Sequence, residues 1–430
     1  MTIVAHEPEA RPARRPAALR EIRVALLGLG QVGSALAELS STTTQGALTG
    51  RFRLTAALVR DPHKPRRVDT TPLTLLTDGK AALASTPDVV VEVLGGIEPA
   101  RTLVLAALDA GIPVVTANKT LLAYCGTELA ARASAAGVPF LYEASVLAGV
   151  PFLGALQRRP LAGAVTSLRG IVNGTSNYVL SRIAHDRIDF AEALAAAQRA
   201  GYAEADPAKD VDGDDAVEKL CVLLRQFPGF DVRPSQIEKA GIGSVQPGDQ
   251  EHAAAFGGCI RPLVAADWPD GRLTAYAGPA YIDGAHAFSR VDGVQNAVAL
   301  TTRWSGELLF SGPGAGPVVT AATVLDDVVE AVESGGHERG APATPVEVDA
   351  LDAAPWFLRL TAAALGEHDA PALLSTLGVR LRRASHIDAR GGHHSQRLLT
   401  HPCARAHIDA ALDVLAAKTG SRSWRIPVVE

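Results

Sequence analysis

Residues 22–33 read Ile22-Arg23-Val24-Ala25-Leu26-Leu27 followed without a break by Gly28-Leu29-Gly30-Gln31-Val32-Gly33. The first six are mostly aliphatic, which is typical of a buried parallel strand. The next six have the pattern GxGxxG, and the helix-like SALAELS follows them. In this setting Gly28 permits a tight turn, Gly30 lets a pyrophosphate approach the backbone, and Gly33 lets helix and strand pack closely. The helix N-terminus supplies amide donors for the phosphates, so we expect Gln31 and Val32 to line a dinucleotide site.

Apolar strands continue to alternate with Ala- and Leu-rich helical segments after this motif. Such βαβ units build a doubly wound parallel sheet, so the sequence predicts an α/β fold of the Rossmann type over residues 21–145. The further predicted strands are Phe52–Val59, Asp88–Val93, Val114–Thr116 and Pro139–Tyr142.

Ligands collect at the carboxyl ends of the strands in such sheets, and Gly95 and the pair Asn118-Lys119 stand there. Taken alone, Lys119 is explained equally well as a solvated charge. It could also neutralise a substrate carboxylate or polarise a carbonyl beside a nicotinamide.

The residues after the second strand bear on which dinucleotide is bound. An acid there serves the ribose hydroxyls of NAD, whereas a cation favours the 2′-phosphate of NADP. Arg60 follows the strand and Lys64 comes soon after, so the sequence favours NADP(H), with NAD(H) as the alternative if Asp61 serves the ribose. Arg60 also lies farther from the glycines than the usual ~20 residues. That distance predicts a longer first helix or an insertion around residues 41–50.

A second informative stretch reads GYAEADPAKDVDGDDAVEK over residues 201–219. Its first half is predicted to be a loop, and the apolar spacing from Asp212 onward predicts a helix capped by Asp212 or Asp214. Asp215 and Lys219 then lie one turn apart on one face. A carboxylate beside an amine can hold and tune a proton-transferring lysine. The alternative is an acidic helix start with a surface ion pair.

Composition narrows the class of protein. The 430 residues are 47% hydrophobic with a net charge of -5, which argues against a nucleic-acid partner. No apolar run approaches the ~20 residues of a membrane helix. Residues 1–20 are expected to be a flexible tail and not a signal peptide. The four cysteines are scattered, which suits reduced thiols in a cytoplasm.

Several segments in this order resemble the homoserine dehydrogenase family. They are GLGQVG (28–33), TANK (116–119), EASVLAGVP (143–151), GIVNGTSNY (170–178), GYAEADPAKDVDGDDAVEKL (201–220) and GPGAGPVVTAATVLDD (312–327). The resemblance covers residues from about 22 to about 330. It implies NAD(P)H-dependent reduction of L-aspartate 4-semialdehyde to L-homoserine, a step toward threonine and methionine.

The resemblance also implies roles for individual residues. Lys219 would be the proton donor to the developing alkoxide, Asp215 would orient it, and Lys119 would lie at the junction of substrate and nicotinamide. Glu204 and Asp210 would face the substrate ammonium. Further substrate contacts are implied for Gly174, Thr175 and Tyr202, and a cofactor contact for Gly316.

The family also holds a monovalent cation, Na⁺ or K⁺, near Glu143. The backbone carbonyls in question would be those of Val146, Ala148 and Val150. Leu147 replaces the smaller residue that is common there.

The remaining chain is divided by the same reasoning. Residues 146–310 are expected to form a mixed α/β domain that binds substrate and carries the contact of a homodimer or homotetramer, and residues 311–335 to complete the cofactor domain. A linker at 334–345 precedes a βαββαβ module at 346–430 that resembles an ACT domain. His393, His394, His401, Cys403 and His407 fit no zinc spacing well, so we expect no metal site there.

Two other functions are compatible with parts of the sequence. One is a different amino-acid-linked NAD(P) oxidoreductase on the same scaffold. The other is a non-catalytic sensor of cofactor and amino acid. A sensor has no need of Lys119, Asp215 and Lys219 together, and the 201–220 segment argues against the first alternative.

Overall fold

A computed structural model of the chain describes residues 21–42, 51–71, 73–159, 161, 163–333, 343–364, 366, 369–390 and 393–430. The predicted tail at 1–20, most of the predicted insertion around 41–50 and most of the predicted linker at 334–345 lie outside the described residues.

The N-terminal part is a parallel sheet covered by helices on both faces. Its strands are β1 (Ile22–Leu27), β2 (Phe52–Leu58), β3 (Thr74–Leu76), β4 (Val89–Glu92), β5 (Val114–Thr116) and β6 (Phe140–Leu141). Its helices are α1 (Gln31–Thr42), α2 (Gly79–Ala84), α3 (Ala100–Asp109) and α4 (Lys119–Ala136). The strand order is β3-β2-β1-β4-β5-β6, with every pairing parallel. The predicted α/β fold with a doubly wound sheet is confirmed.

Strand β1 shows why this sheet is buried on both faces. Ala25 and Leu27 belong to one apolar cluster, whereas Val24 and Leu26 belong to another. The alternation places a core on each side of the strand, which explains why residues 24–27 are all apolar and buried. Strand β3 was not predicted because its three residues are exposed or half-buried and carry no comparable apolar signal.

The middle of the chain forms a mixed layer. Its helices are α5 (Leu153–Gln157), α6 (Gly174–Asp186), α7 (Phe190–Arg199), α8 (Ala208–Val211), α9 (Asp214–Gln226), α10 (Pro247–Ala255) and α11 (Pro317–Glu333). Its strands are β7 (Val165–Ile171), β8 (Phe230–Asp231), β9 (Glu238–Lys239), β10 (Gly258–Asp267), β11 (Leu273–Asp283), β12 (Gln295–Thr302) and β13 (Gly306–Pro313). The last helix, α11, returns to the first sheet, where Val324 and Val328 join the cluster that contains Leu36 of α1.

The C-terminal residues have the predicted βαββαβ order. The main elements are β17 (Trp356–Ala362), α12 (Asp369–Thr376), β18 (Leu381–Ala384), β20 (His393–Thr400), α13 (Arg405–Thr419) and β22 (Arg422–Val429). Short strands are β14 (Thr344–Pro345), β15 (Val348–Asp349), β16 (Ala353–Ala354), β19 (Asp388–Arg390) and β21 (Cys403–Ala404).

The C-terminal module is joined to the middle layer by backbone pairing. Strand β22 pairs in parallel with β11, with Tyr281 opposite Val428, so both regions share one sheet of order β13-β12-β7-β10-β11-β22-β17-β20-β18. Charges reinforce the junction, because the fully buried Asp249 of α10 is paired with Arg359 and Arg397 of the module. The module is therefore a structural continuation of the middle layer.

Candidate active site

Helix α9 presents the acid and the lysine that the sequence singled out. Asp215 and Lys219 lie one turn apart, with a carboxylate oxygen 2.9 Å from the ammonium nitrogen, and both are buried. The cap differs from the prediction: Gly213 is the N-cap in a left-handed conformation (φ 88°) and no side chain caps the helix. Asp214 instead pairs with Lys239, so the capping role expected for Asp212 or Asp214 was wrong.

Asp215 is the centre of a charged cluster drawn from several elements. Its second carboxylate oxygen lies 3.0 Å from the ammonium of Lys119, the first residue of α4. The side-chain amide of Asn173, which caps α6, donates to both Asp215 and Asp210 at 2.8 Å. Lys219 also donates to the backbone carbonyl of Val172 at 2.6 Å. Packing of α4 against α9 thus places two lysines on one carboxylate.

The charges of this cluster depend on one another. Burial raises the pKa of Asp215, but the ammonium groups of Lys219 and Lys119 outweigh it and hold that pKa well below its usual range. The carboxylate of Asp215 in turn raises the pKa of Lys119 despite partial burial. Burial also raises the pKa of Asp210, whose hydrogen bond from Asn173 opposes it only partly. Asp215 is therefore the permanently charged acid of the site.

The glycines of the first turn fit a dinucleotide. A Cβ atom on Gly33 would lie 2.3 Å from the carbonyl oxygen of Gly28, which only glycine avoids. A Cβ on Gly30 would meet nothing within 4 Å, so this side of the turn is open to an approaching phosphate. Gln31 and Val32 form the first turn of α1, where backbone amides face such an anion.

Comparison with known families gives the decisive observation. The homoserine dehydrogenase NAD-binding domain matches residues 28–143, and the homoserine dehydrogenase domain matches residues 151–329. The chain belongs to the homoserine dehydrogenase family. It is accordingly an oxidoreductase with an NAD(P)-binding domain, and the resemblance read from its motifs is confirmed.

Similar proteins extend the likeness to the whole chain. The homoserine dehydrogenase of Synechocystis sp. is 39% identical over 72% of this chain and 73% of its own length. That of Mycobacterium leprae is 33% identical over 92% of this chain and 95% of its own. The crystal structure of a homoserine dehydrogenase from Thiobacillus denitrificans superimposes with a TM-score of 0.85 at 30% identity, covering 96% of this chain and 99% of that one.

The other residues predicted for the substrate site lie at the start of α6 and in the segment that follows α7. Gly174 starts α6, and a Cβ there would come within 2.9 Å of the carbonyl oxygen of Val294. Thr175 donates its hydroxyl to the backbone carbonyl of Tyr202 at 2.7 Å, and the exposed Tyr202 ring lies 4.9 Å from that of Tyr178. The side chain of Glu204 is exposed, outside the charged cluster.

A cavity lies beneath the cluster. Its polar wall consists of Asn173, Ser176 and Asp210. Apolar side chains such as Ile242 and Leu263 form the remainder.

The predicted cofactor contacts are spread along the carboxyl edge of the first sheet. Gly95 (φ 77°) and Gly316 (φ 137°) occupy backbone conformations that favour glycine. Asn118 is buried, caps α4, and donates to the backbone carbonyl of Gly96 at 2.7 Å. Arg60 and Lys64 are exposed beyond the end of β2.

Two buried acids were missed by the sequence reasoning. Glu218 was not among the predicted site residues, but it is only 4% exposed and accepts a hydrogen bond from Thr120 at 2.8 Å. Glu92, at the end of β4, is fully buried and accepts from Thr116 and Asn118, and burial raises its pKa. The position of Glu92 directly after the apolar residues Val89–Val91 could have indicated that this acid is buried at the end of a strand. Glu218 carried no such signal, because α9 becomes buried there only by packing on α4.

The loop expected to hold a cation has a definite geometry. The carboxylate of Glu143 accepts hydrogen bonds from the amides of Phe152, Leu153 and Gly154 at 2.6–2.8 Å, so it caps α5. Leu147 adopts a left-handed conformation (φ 47°) in the turn between Val146 and Ala148. Any cation would therefore depend on backbone carbonyl oxygens.

The described residues hold neither a cluster of metal-binding side chains nor a helix that could span a membrane. No group of three or more His, Cys, Asp or Glu side chains among them is arranged to hold a metal ion. No helix within the described part of the chain has the length and apolarity to cross a membrane.

Proposed function

We propose that this homoserine dehydrogenase interconverts L-aspartate 4-semialdehyde and L-homoserine in threonine and methionine biosynthesis, with Lys219 as the proton donor and acceptor. The observation that carries the proposal is the sharing of Asp215 by Lys119 and Lys219. When bound, the nicotinamide would supply the hydride that reduces the aldehyde carbon.

Lys219 is suited to transfer a proton to the substrate oxygen. An ammonium group has three N–H donors, and among the described residues Lys219 contacts Asp215 and the carbonyl of Val172. One N–H is left for the substrate oxygen as it gains negative charge. The carboxylate of Asp215, 2.9 Å away, holds the Lys219 ammonium in place for this transfer.

Lys119 and the acids have complementary tasks. Lys119 lies at the start of α4, next to residues predicted to contact the cofactor, and would polarise the carbonyl at the junction of substrate and nicotinamide. Asp210 would accept the substrate ammonium, since its only described side-chain hydrogen bond comes from the uncharged amide of Asn173. Glu204 would reach the same ammonium by closure of its exposed loop.

The proposal includes a preference for NADP(H). Asp61, the alternative ribose ligand, accepts a hydrogen bond from the backbone amide of His63 at 2.8 Å. The exposed Arg60 and Lys64 then stand beyond β2 as cations for a 2′-phosphate. NAD(H) would remain a poorer cofactor.

We extend the proposal to a monovalent cation, Na⁺ or K⁺, at the carbonyls of Glu143, Val146, Ala148 and Val150. The turn is closed by the Val150 amide, which donates to the Leu147 carbonyl at 2.8 Å. Thr323 donates to the carbonyl of Ala148, which lowers that oxygen's capacity for an ion. Activity compared in K⁺, Na⁺ and choline salts tests this part.

The assembly and its setting follow from the same resemblance. We propose a cytoplasmic homodimer or homotetramer, with the dimer contact in residues 146–310, and an ACT-like role for residues 346–430. The backbone pairing of β22 with β11 supports a module that influences the substrate layer directly. Light scattering, and assays with and without threonine, test these points.

The central experiment is homoserine-dependent reduction of NADP⁺ and NAD⁺ by the wild type and by Lys219→Ala. We expect the variant to lose about 10²–10⁴-fold in kcat, while NADPH binding measured by fluorescence is retained. Wild-type activity in Lys219→Ala would refute the role given to Lys219. Activity of the wild type with another amino acid but not with homoserine would refute the substrate.

A further inference from the structure

Glu218 is a buried acid with few partners. Its side chain is 5% exposed, and one oxygen accepts the hydroxyl hydrogen of Thr120 at 2.8 Å. The other oxygen lies 3.8 Å from the ammonium of Lys209, whose side chain is 68% exposed. An ion pair that long with an exposed lysine is screened by solvent and contributes little. The contacts that the Glu218 carboxylate makes therefore offset little of the free-energy cost of burying it.

The charges around Asp215 indicate how the buried carboxylate of Glu218 could act on the site. Asp215 is shared by Lys119 and Lys219, so one anion serves two cations. Lys119 is also the first residue of the 18-residue helix α4, where the helix dipole disfavours a positive charge. After Asp215, which has the largest effect, the charges of Glu218 and Asp210 also raise the pKa of Lys119.

The first turn of α4 is held on both sides of Lys119. Asn118, the preceding residue, donates its amide to Glu92 and to the carbonyl of Gly96. Thr120, the following residue, donates to Glu218. These contacts fix the backbone on either side of Lys119, so its ammonium is directed at Asp215.

We propose that Glu218 is a positioning residue for Lys119, which it holds through its hydrogen bond with Thr120 and near which it places a second buried carboxylate of α9 beside Asp215. The inference rests on the proposed use of Lys119 in the reaction. It assigns to Glu218 an effect on the pH range of activity and leaves proton transfer to Lys219.

Several charged and titratable groups act on the two residues involved. Those that act on Lys119 are Asp215 and Glu218 of α9 and Asp210 of α8. Around Glu218 stand Lys209, Tyr124 and Cys221. The test must therefore separate Glu218 from its neighbours.

Glu218→Gln removes the charge and keeps an acceptor for Thr120. We expect the alkaline limb of kcat/KM, measured in the direction of aldehyde reduction, to move to lower pH by about half a unit, as for a charge a few ångströms away in a partly solvated site. Asp214→Asn is the matched control, because it removes an acid one turn earlier on the same helix, and that acid is paired with Lys239. The alkaline limb of Asp214→Asn should not move. An unmoved limb in Glu218→Gln, or an equal shift in Asp214→Asn, overturns the proposal.

The hydroxyl of Thr120 is tested separately. Thr120→Val should raise KM or lower kcat and shift the limb in the same direction, and Thr120→Ser should restore wild-type behaviour. If Thr120→Val and Thr120→Ser are indistinguishable from the wild type, the hydroxyl does not position Lys119.

A readout without turnover separates this inference from the proposed function. The rate of Lys119 acetylation as a function of pH, followed by peptide mass spectrometry, reports its pKa directly, with Lys80 and Lys418 as internal references. In Glu218→Gln the Lys119 profile should shift to lower pH and the reference profiles should not. Lack of wild-type activity with homoserine would refute the proposed function, whereas an unchanged Lys119 profile would refute the role of Glu218.

Discussion

Asp215→Asn tests the charge sharing on which the site depends. In the wild type one buried carboxylate lies 2.9 Å from Lys219 and 3.0 Å from Lys119, and it also accepts the amide of Asn173 at 2.8 Å. An asparagine has one acceptor oxygen, and its NH₂ group would face a donor. Lys219 and Asn173 share one carboxylate oxygen and Lys119 contacts the other, so the NH₂ group would face either Lys119 or both Lys219 and Asn173.

The cost of this change can be bounded from two sides. Breaking a buried ion pair by removing one partner costs about 3–5 kcal/mol. Alternatively, one lysine loses its proton at pH 7, which from a reference pKa of about 10.4 costs about 4.6 kcal/mol. Both routes give a loss of about 3–5 kcal/mol in the free energy of unfolding.

The sign of the pH dependence follows from the direction of the shifts. The pKa of Asp215 is lowered on folding. Its contribution to the free energy of unfolding is therefore present above its unfolded pKa of about 4 and is lost only in strong acid. The pKa of Lys119 is raised, so its contribution is complete below about pH 10 and is lost as pH rises through the folded value. In Asp215→Asn Lys119 loses the anion that raises its pKa most, so its pKa falls. The difference in stability from the wild type should therefore shrink between pH 7 and pH 10.

Urea denaturation of both proteins at pH 7 and pH 10 measures this difference. Asp214→Asn is the control, because its partly exposed pair with Lys239 should be worth less than about 1 kcal/mol. A stability loss below about 1 kcal/mol at pH 7, or one that does not change with pH, would show that Asp215 is not the charge that holds the two lysines.

Three further changes test other parts of the structure. Arg60→Ala should raise KM for NADP⁺ about tenfold and leave KM for NAD⁺ unchanged, since about 1.4 kcal/mol is lost with a charge-assisted contact; equal changes for both cofactors would contradict the NADP argument. Glu92→Gln removes a buried charge whose pKa is raised by burial, so its stability relative to the wild type, from thermal unfolding, should increase from pH 5 to pH 8. Arg397→Met leaves the buried Asp249 with one fewer partner and should cost about 3–5 kcal/mol by urea denaturation, whereas the control Arg272→Met, at an exposed pair, should cost less than about 1 kcal/mol.

What could be predicted from the sequence was local. The strand, the glycines and the helix at 22–42 are neighbours along the chain, and so are Asp215 and Lys219, which the helix repeat alone places on one face. The βαββαβ order of the C-terminal residues was also readable from the sequence pattern.

The rest depended on contacts between distant segments. Glu218 looked like a solvated acid because nothing near it in the sequence indicates that α4 covers it. Strand β22 pairs with β11 although a predicted linker separates the two regions, and no local pattern encodes such a pairing. Asn173 belongs to the segment GIVNGTSNY that carried the resemblance, but its hydrogen bond to Asp215 joins residues 42 positions apart and could not be read from either segment alone.

The pairing of α4 with α9 explains why the active site is assembled from both halves of the chain. Helix α4 belongs to the cofactor-binding sheet and α9 to the substrate layer, and the two are joined at both ends of their contact. Lys119 meets Asp215 at one end, and farther along Arg225 donates to the carbonyl of Leu122 at 2.6 Å. A shift between the two layers would separate Lys119 from Asp215 and leave a cation at a helix N-terminus, which is unfavourable. The same electrostatics that would prepare the lysines for catalysis therefore hold the cofactor and substrate layers in register.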